Sequence, residues 1–255
     1  RGLGDVYKRQ DFFPRPGQFI MLRIGNSYDP LLRRPFAAFK LRNSKGIFLE
    51  IFYKVVGHGT RIMSCLGPDK KLELLGPLGN GFKLPEKRNT TFIVAGGMGI
   101  VPLRGLIYHL VDSEIGRVHV FVGTKSTSHL LFQDEFQKVG VPLHVSTEDG
   151  SAGHHGLVTE LFEQYLEDFY PLDKHDKICF GCGPSPMLEV VAQITSQYCL
   201  PCQVSLEARM ACGIGACLGC VVRLRNQIFN NPEGEKKYGR VCLEGPVFDV
   251  REIEW

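Results

Sequence analysis

The chain has 255 residues, 44% of them hydrophobic and 22% charged, with 30 Lys and Arg against 27 Asp and Glu for a net charge of +3. This is a globular balance, with apolar material for two domains and a small third module. No basic run or acidic tail recommends nucleic acid or a membrane surface as partner. The longest uncharged stretch of the middle region, Asn89–Leu103, is short for a spanning helix and is broken by three glycines and a proline. No signal peptide is expected, and Arg1–Gln10 alternates like neither strand nor helix, as a truncation point or foreign scar does. Nine cysteines, crowded toward the C-terminal third, fit metal ligation in a reducing, cytoplasmic compartment better than disulfide stapling.

In chain order, residues 11–89 read as short strands (Gln18–Ile24, Pro35–Leu41, Ile47–Val55, Lys71–Leu75) between Gly, Asn, Ser and Pro clusters. That pattern predicts a small antiparallel β-barrel, with a helical turn or two over Thr60–Leu66. From 90 to 206 the rhythm is strand then helix: Thr91–Ala95 with a helix through Leu103–Leu110, Val118–Val122 with Leu130–Val139, Pro142–Ser146 with Leu157–Phe169, and Lys177–Phe180 with Met187–Gln197. Such alternation predicts a parallel sheet covered on both faces, which binds ligands beyond the carboxyl ends of its strands. Residues 207–255 lose this regularity and form a third, cysteine-rich module.

Cys212, Cys217 and Cys220 have the spacing C-x4-C-x2-C, and Cys242 follows at a distance. This is the plant-type [2Fe–2S] spacing: four thiolates on two irons, in a loop whose glycines let backbone N–H groups turn toward sulfur. Structural zinc prefers paired C-x2-C knuckles. A knuckle pattern does occur upstream, at Cys179-x2-Cys182 and Cys199-x2-Cys202. There, however, Cys179 and Cys182 sit on one strand and project to opposite faces.

Gly96-Gly97-Met98-Gly99 closes a strand and opens a helix, a place for a phosphate, although a tight turn before a packed helix explains it equally well. Gly181-Cys182-Gly183-Pro184 ends another strand of the same sheet. Two such loops on one rim predict a dinucleotide site of which Gly96, Gly97, Gly99, Cys182, Gly183 and Pro184 are parts. In the barrel, Arg34-Pro35-Phe36 sets a guanidinium fork, suited to pyrophosphate, beside a ring suited to a flavin face. Gly57-His58-Gly59-Thr60 is a second phosphate-sized loop. The plain alternative is that Phe36 is core and Arg34 a solvated charge.

Together, RRPFAAF (33–39), YKVVGHGT (53–60), GPLGNGF (76–82), AGGMGIVPL (95–103), FGCGPSPML (180–188) and SLEARMACGIGACLGCVV (205–222) resemble the ferredoxin-reductase superfamily. More narrowly, they are similar to the electron-transfer subunits of NAD-dependent (class 1B) dihydroorotate dehydrogenases. The resemblance implies an FAD-binding barrel, an NAD-binding domain and a [2Fe–2S] module. Arg34 would then contact the FAD pyrophosphate, Phe36 would pack on the isoalloxazine beside Pro35 and Ala37, and Tyr53, Lys54, Val55, Gly59 and Thr60 would line the FAD. The cluster ligands would be Cys212, Cys217, Cys220 and Cys242.

The resemblance also implies a partner, an FMN-containing catalytic subunit that oxidises dihydroorotate in pyrimidine biosynthesis, two copies of each forming the complex. Electrons would pass singly through the cluster to FAD and leave as hydride to NAD+. No catalytic acid, base or nucleophile is expected, and His58, His154 and His155 read as surface or loop residues. Three departures from the family pattern stand out. Ala37 replaces a hydroxyl residue, residues 225–237 look like an insertion before Cys242, and a first barrel strand is not evident. Thr147-Glu148-Asp149 stands where NADP-specific relatives place a basic residue, so NAD is expected. The alternative within redox chemistry is the flavin/iron–sulfur subunit of a sulfide dehydrogenase or ferredoxin:NADP oxidoreductase, some of which carry Asp in place of the first cluster cysteine. Outside redox chemistry it is a zinc-binding interaction module.

Overall fold

The structure, a computed structural model, describes residues 14–25, 28–43, 46–68, 70–85, 90–169, 177–225 and 237–255. The irregular N-terminal segment and nearly all of the expected insertion at 225–237 lie outside these residues.

The first region is antiparallel, as its turn-punctuated strands predict. β1 (Phe19–Arg23) pairs with β2 (Arg34–Ala37) on one side and with β5 (Glu73–Leu78) on the other. β3 (Phe39–Asn43) and β4 (Gly46–Glu50) form a hairpin. The single strand expected over Pro35–Leu41 is therefore two, interrupted at Ala38. The strand expected over Ile47–Val55 pairs only through Glu50, leaving Phe52, Tyr53 and Lys54 unpaired and turned to a cleft. One short helix, α1 (His58–Ser64), follows.

A seven-stranded sheet in the order β14-β11-β10-β6-β7-β8-β9 dominates the rest. Its strands β6 (Thr90–Gly96), β7 (Arg117–Thr124), β8 (Leu143–Thr147), β9 (His154–His155), β10 (Lys177–Cys182) and β11 (Cys202–Ser205) are parallel to one another. Alternation sorts their side chains onto two cores. Phe92, Val94, Phe121 and Cys179 face α4 (Val158–Phe169) and α5 (Ser185–Gln197), while Ile93, Ala95, Val120 and Phe180 face α2 (Ile100–Asp112) and α3 (Gln133–Lys138). With both faces covered, the strands carry the near-continuous apolar runs that mark a buried parallel sheet. Truncating a fully buried ring such as Phe121 costs about 3–5 kcal/mol.

The third region adds a hairpin, β12 (Val221–Leu224) with β13 (Lys237–Arg240). It then returns to the central sheet, where β14 (Val247–Asp249) pairs antiparallel with β11. The cysteine module is thereby tied to the seven-stranded sheet by a strand as well as by the chain. Cys179 and Cys182 fall in opposite cores and Cys199 is exposed, so the upstream knuckle pattern gathers no four-sulfur site. No helix among the described residues is long and apolar enough to cross a membrane.

Candidate functional site

Two clefts adjoin at the carboxyl edge of the sheet. The first, of about 440 Å³, has one wall built from Arg34, Pro35, Phe36 and Ala37 of β2, with Phe52, Tyr53, Lys54 and Thr60. Its other wall is Val101 and Pro102 from the first turn of α2, with Cys182 and the segment Ser205–Ala208 below. Phe36 meets Tyr53 edge to face, ring centroids 6.0 Å apart, which is a favoured aromatic geometry and fixes both rings. Arg34 donates to the Leu32 carbonyl. Thr60 accepts from the Gly57 N–H at 3.2 Å and holds the loop before α1 closed. Two expected residues do not line this cleft: Val55 is 49% exposed, and Gly59 sits behind Arg34, where an added Cβ would stand 3.2 Å from its Nε.

The second cleft, of about 630 Å³, is lined by Gly96, Gly97, Gly99, Gly183 and Pro184, as the two glycine loops predict, with Gly123–Lys125, Glu148 and Leu157–Thr159 opposite. β6 and β10 are neighbours with Ala95 beside Cys182, so the loops that follow them emerge side by side. Gly97 takes a φ of +53° that starts the turn into α2. The 13-residue α2 carries no acidic residue in its first turn, leaving its N-terminal dipole free for an anion. Glu148 is the carboxylate that lines the cleft. Asp149 is engaged instead with Ser151, whose hydroxyl and N–H hold its carboxyl below the usual range.

Met98 and Glu207 belong to both clefts. Neither figured among the expected residues. Glu207 lies just past the end of β11, where the alternation Cys202-Gln203-Val204-Ser205-Leu206 was the available signal. Cys182 lines the first cleft rather than the second. Burial, then the Glu207 charge, push its thiol well up, against the opposing effect of a hydrogen bond with Ser205. It is therefore a neutral thiol at the seam and not a nucleophile.

The four C-terminal cysteines form two pairs. Cys212 and Cys217 interact through their side chains, and the Cys217 N–H donates to Cys212 Sγ at 3.4 Å. Cys220 and Cys242 likewise interact, with the Cys242 N–H 3.4 Å from Cys220 Sγ. Gly215 ties the pairs together, its N–H donating to Cys242 Sγ at 3.1 Å. The N–H groups of Ile214 and Cys217 bring the Cys212 thiol down to about 6, whereas burial pushes Cys242 up to about 11. Among the described residues no three His, Cys, Asp or Glu side chains converge as a single ion requires. Two thiol pairs joined by a loop of inward N–H groups suit a binuclear cluster, which takes four thiolates on two irons. The loop rests on β1: a Cβ on Gly213 would stand 2.6 Å from Met21 Cγ, and Met21 shares a core with Cys220 and Cys242.

Residues 207–254 match the family described as the iron–sulfur cluster binding domain of dihydroorotate dehydrogenase B, and residues 93–193 match the oxidoreductase NAD-binding domain. Over 94% of its length the chain is 34% identical to the dihydroorotate dehydrogenase B (NAD(+)) electron transfer subunit of Desulforamulus reducens, covering 87% of that protein. The chain belongs to this family. The same subunit of Caldanaerobacter subterraneus subsp. tengcongensis is 36% identical over 94% of this chain and 87% of its own length. Among solved structures, that of an NADH-dependent reduced ferredoxin-NADP oxidoreductase superimposes with a TM-score of 0.76 at 27% identity, over 98% of this chain and 82% of that one. A Plasmodium falciparum ferredoxin-NADP+ reductase shares the fold, with a TM-score of 0.57 at 18% identity over 73% of this chain and 81% of that one. The dihydroorotate dehydrogenase B electron transfer subunits thus supply the family, and the ferredoxin reductases the fold.

Proposed function

We propose that this chain is the electron-transfer subunit of a cytoplasmic, NAD-dependent dihydroorotate dehydrogenase, working in pyrimidine biosynthesis with an FMN-containing catalytic subunit, two copies of each. The observation that carries the reading is the pairing of Cys212 with Cys217 and of Cys220 with Cys242 in a loop seated on Met21, in the strand beside the Arg34–Ala37 cleft wall. The bound groups supply the redox chemistry, a [2Fe–2S] cluster passing single electrons and FAD exchanging a hydride with NAD+.

The chain's residues hold, orient and exclude water. Cys212, Cys217, Cys220 and Cys242 hold the cluster. Arg34 to Ala37, Tyr53, Lys54 and Thr60 hold FAD, with the Arg34 fork on phosphate. Gly96, Gly97, Gly99, Gly183 and Pro184 admit the NAD pyrophosphate to the start of α2. Glu148 accepts from a ribose hydroxyl and repels a 2′-phosphate. Glu207, at the seam of the two clefts, would set a negative charge near a nicotinamide held there and so favour its cationic, oxidised form. The three working units are 11–89, 90–206 and 207–255.

Around the cysteines, Ile214 and Leu218 are more than half exposed, and Val221 and Leu243 nearly so. Apolar tips gathered on an exposed loop suit a protein partner, and this is where the catalytic subunit is to dock. The second reading, a subunit of an NAD(P)H-dependent ferredoxin reductase, is favoured by the structural likeness at a TM-score of 0.76. Co-expression with a dihydroorotate dehydrogenase catalytic subunit separates the two. Co-purification, flavin and [2Fe–2S] absorption, and dihydroorotate-dependent NAD+ reduction are expected. A coloured complex that ignores dihydroorotate while coupling NADH to ferredoxin overturns the proposal in favour of the second reading.

A further inference from the structure

Away from the groups that touch a cofactor, one charged side chain is almost wholly buried where the barrel meets the nucleotide-binding unit. Arg104, on α2, is 6% exposed. Its guanidinium pairs with Glu50 at the end of β4 on one side and with Glu135 of α3 on the other, Nε donating to Glu135 at 3.0 Å. Rings surround the charge: its Cζ lies 4.7 Å from the centroid of Phe39 and 4.6 Å from that of Phe132, with Phe52 and Tyr108 farther out at 5.8 and 5.9 Å. Phe39, Glu50 and Phe52 come from the barrel, whereas Arg104, Tyr108, Phe132 and Glu135 come from the nucleotide-binding unit. Tyr108 completes the network by donating to Glu135 at 3.1 Å.

Two features show that the chain accepts a local cost to build this junction. Phe132 takes a φ of +62°, an unfavourable conformation for a bulky side chain, and in it the ring meets Phe52 at 4.7 Å as well as Arg104. Gly105, inside a helix where glycine is a poor choice, lets Phe39 approach, since an added Cβ would stand 3.2 Å from its ring.

The junction sits directly behind the seam between the two clefts. Phe52 lines the first cleft next to Tyr53 and Lys54, and Val101 and Pro102, one helical turn before Arg104, line it from the opposite side. The loop Gly97–Gly99 runs straight into that same turn. Arg104 thus joins the wall that faces flavin to the helix that follows the nucleotide loop. A fork with two carboxylates on opposite sides fixes a distance in a way that a single ammonium does not. Without it, Glu50 and Glu135 face each other as like charges.

Resting on the hydride-transfer reading above, we propose that Arg104 is a positioning residue for that step: its bridge between Glu50 and Glu135 sets the separation of the nicotinamide loop from the flavin wall. The step itself moves one hydride, two electrons with one hydrogen nucleus, from NADH to flavin or back, and Arg104 takes no part in the bonds. Because hydride transfer falls steeply with misplacement, a shift of about 1 Å costs up to about a hundredfold in rate.

The test uses the full chain in complex with its catalytic subunit, loaded with FAD and cluster, and the variants Arg104→Lys, Arg104→Met and Glu135→Gln. Flavin content, anaerobic flavin reduction by NADH at increasing concentration, and the long-wavelength absorbance of the flavin–NADH pair are measured. For both Arg104 variants, native flavin content and half-saturation are expected, with the saturating rate down tenfold or more and the long-wavelength band weakened; Glu135→Gln is expected to lose several-fold. Wild-type rate and band in a flavin-replete Arg104 variant overturn the proposal, as does a change confined to half-saturation. If both Arg104 variants fail to hold flavin, Glu135→Gln decides, and its wild-type rate and band make the junction merely structural. Failure of the unaltered complex to pass electrons between NADH and flavin counts instead against the functional reading.

Discussion

Gly99 and the Cys182 carbonyl are in such close approach that a Cβ on Gly99 would stand 2.1 Å from the Cys182 oxygen. Gly99 has an ordinary helical φ of −60°, so glycine is required here by space and not by conformation. The two loops at the seam are in effect one packed unit, each fixing the other's position.

Gly99→Ala therefore cannot be absorbed by a side-chain rotation, because the obstacle is backbone. The expected result is a loss of about 1–3 kcal/mol of stability, together with at least a tenfold weaker response to NADH. Thermal unfolding and NADH titration of flavin absorbance measure the two effects. A wild-type response to NADH would show that the loops are free to part.

The strand–helix alternation from 90 to 206 was most legible where an apolar run ends in glycine, as in Phe92–Ala95 before Gly96, Val120–Val122 before Gly123 and Ile178–Phe180 before Gly181. The barrel was less so. Ala38 interrupts a run that reads as one strand, and Phe52–Lys54 has strand-like residues that face a cleft instead of a neighbour. β14 was missed because a three-residue strand after Gly245-Pro246 has no period of its own, and its partner β11 lies over 40 positions away in the chain. For the cysteines the C-x4-C-x2-C spacing is itself the signal, and the 207–254 match to an iron–sulfur cluster binding domain covers all four. Arg104 carried none: nothing in its neighbourhood of sequence announces that Glu50 and Glu135 will meet it.

The carboxylate in the nucleotide cleft gives a second prediction. Glu148 lines the cleft while Asp149 is held by Ser151, so Glu148 is the one to exchange. Glu148→Arg replaces repulsion of a 2′-phosphate with a fork that binds it. The ratio of kcat/KM for NADPH to that for NADH is expected to rise by at least about tenfold, equivalent to about 1.4 kcal/mol. An unchanged ratio places the ribose elsewhere in the cleft.

Removing the iron exposes a pH dependence whose sign is fixed. The Ile214 and Cys217 N–H groups bring the Cys212 thiol from an ordinary value of 9.0 to about 6, while Cys242 is raised to about 11. Only thiolate reacts with iodoacetamide. In cluster-free protein, labelling of Cys212 should climb through pH 6 and level off above it, with Cys242 unlabelled near neutrality. The same depression means that the loop's hydrogen bonds add to stability above about pH 9, and that this contribution is lost as pH falls toward 6. Loaded protein should resist labelling at every pH. Mass spectrometry of both forms makes the comparison, and equal labelling of Cys212 with and without iron excludes it as a ligand.

The seat of the cluster loop on the barrel separates two physical effects in a single pair of variants. Gly213 has a φ of +71°, and a Cβ there would also stand 2.6 Å from Met21 Cγ. Gly213→Ala therefore meets backbone strain and a clash together. Met21 is a flexible side chain, and Met21→Ala clears the space, at the cost of a cavity in the core, but leaves the strain, about 1–2 kcal/mol for an L-residue in that region. Gly213→Ala alone is expected to lose most of the [2Fe–2S] absorption while keeping flavin. The double variant should recover part of the cluster and stay below the level of Met21→Ala alone. Iron and flavin content per chain measure this directly. Full recovery in the double variant would mean that contact alone places the loop; no recovery would mean that the backbone strain at Gly213 alone displaces it.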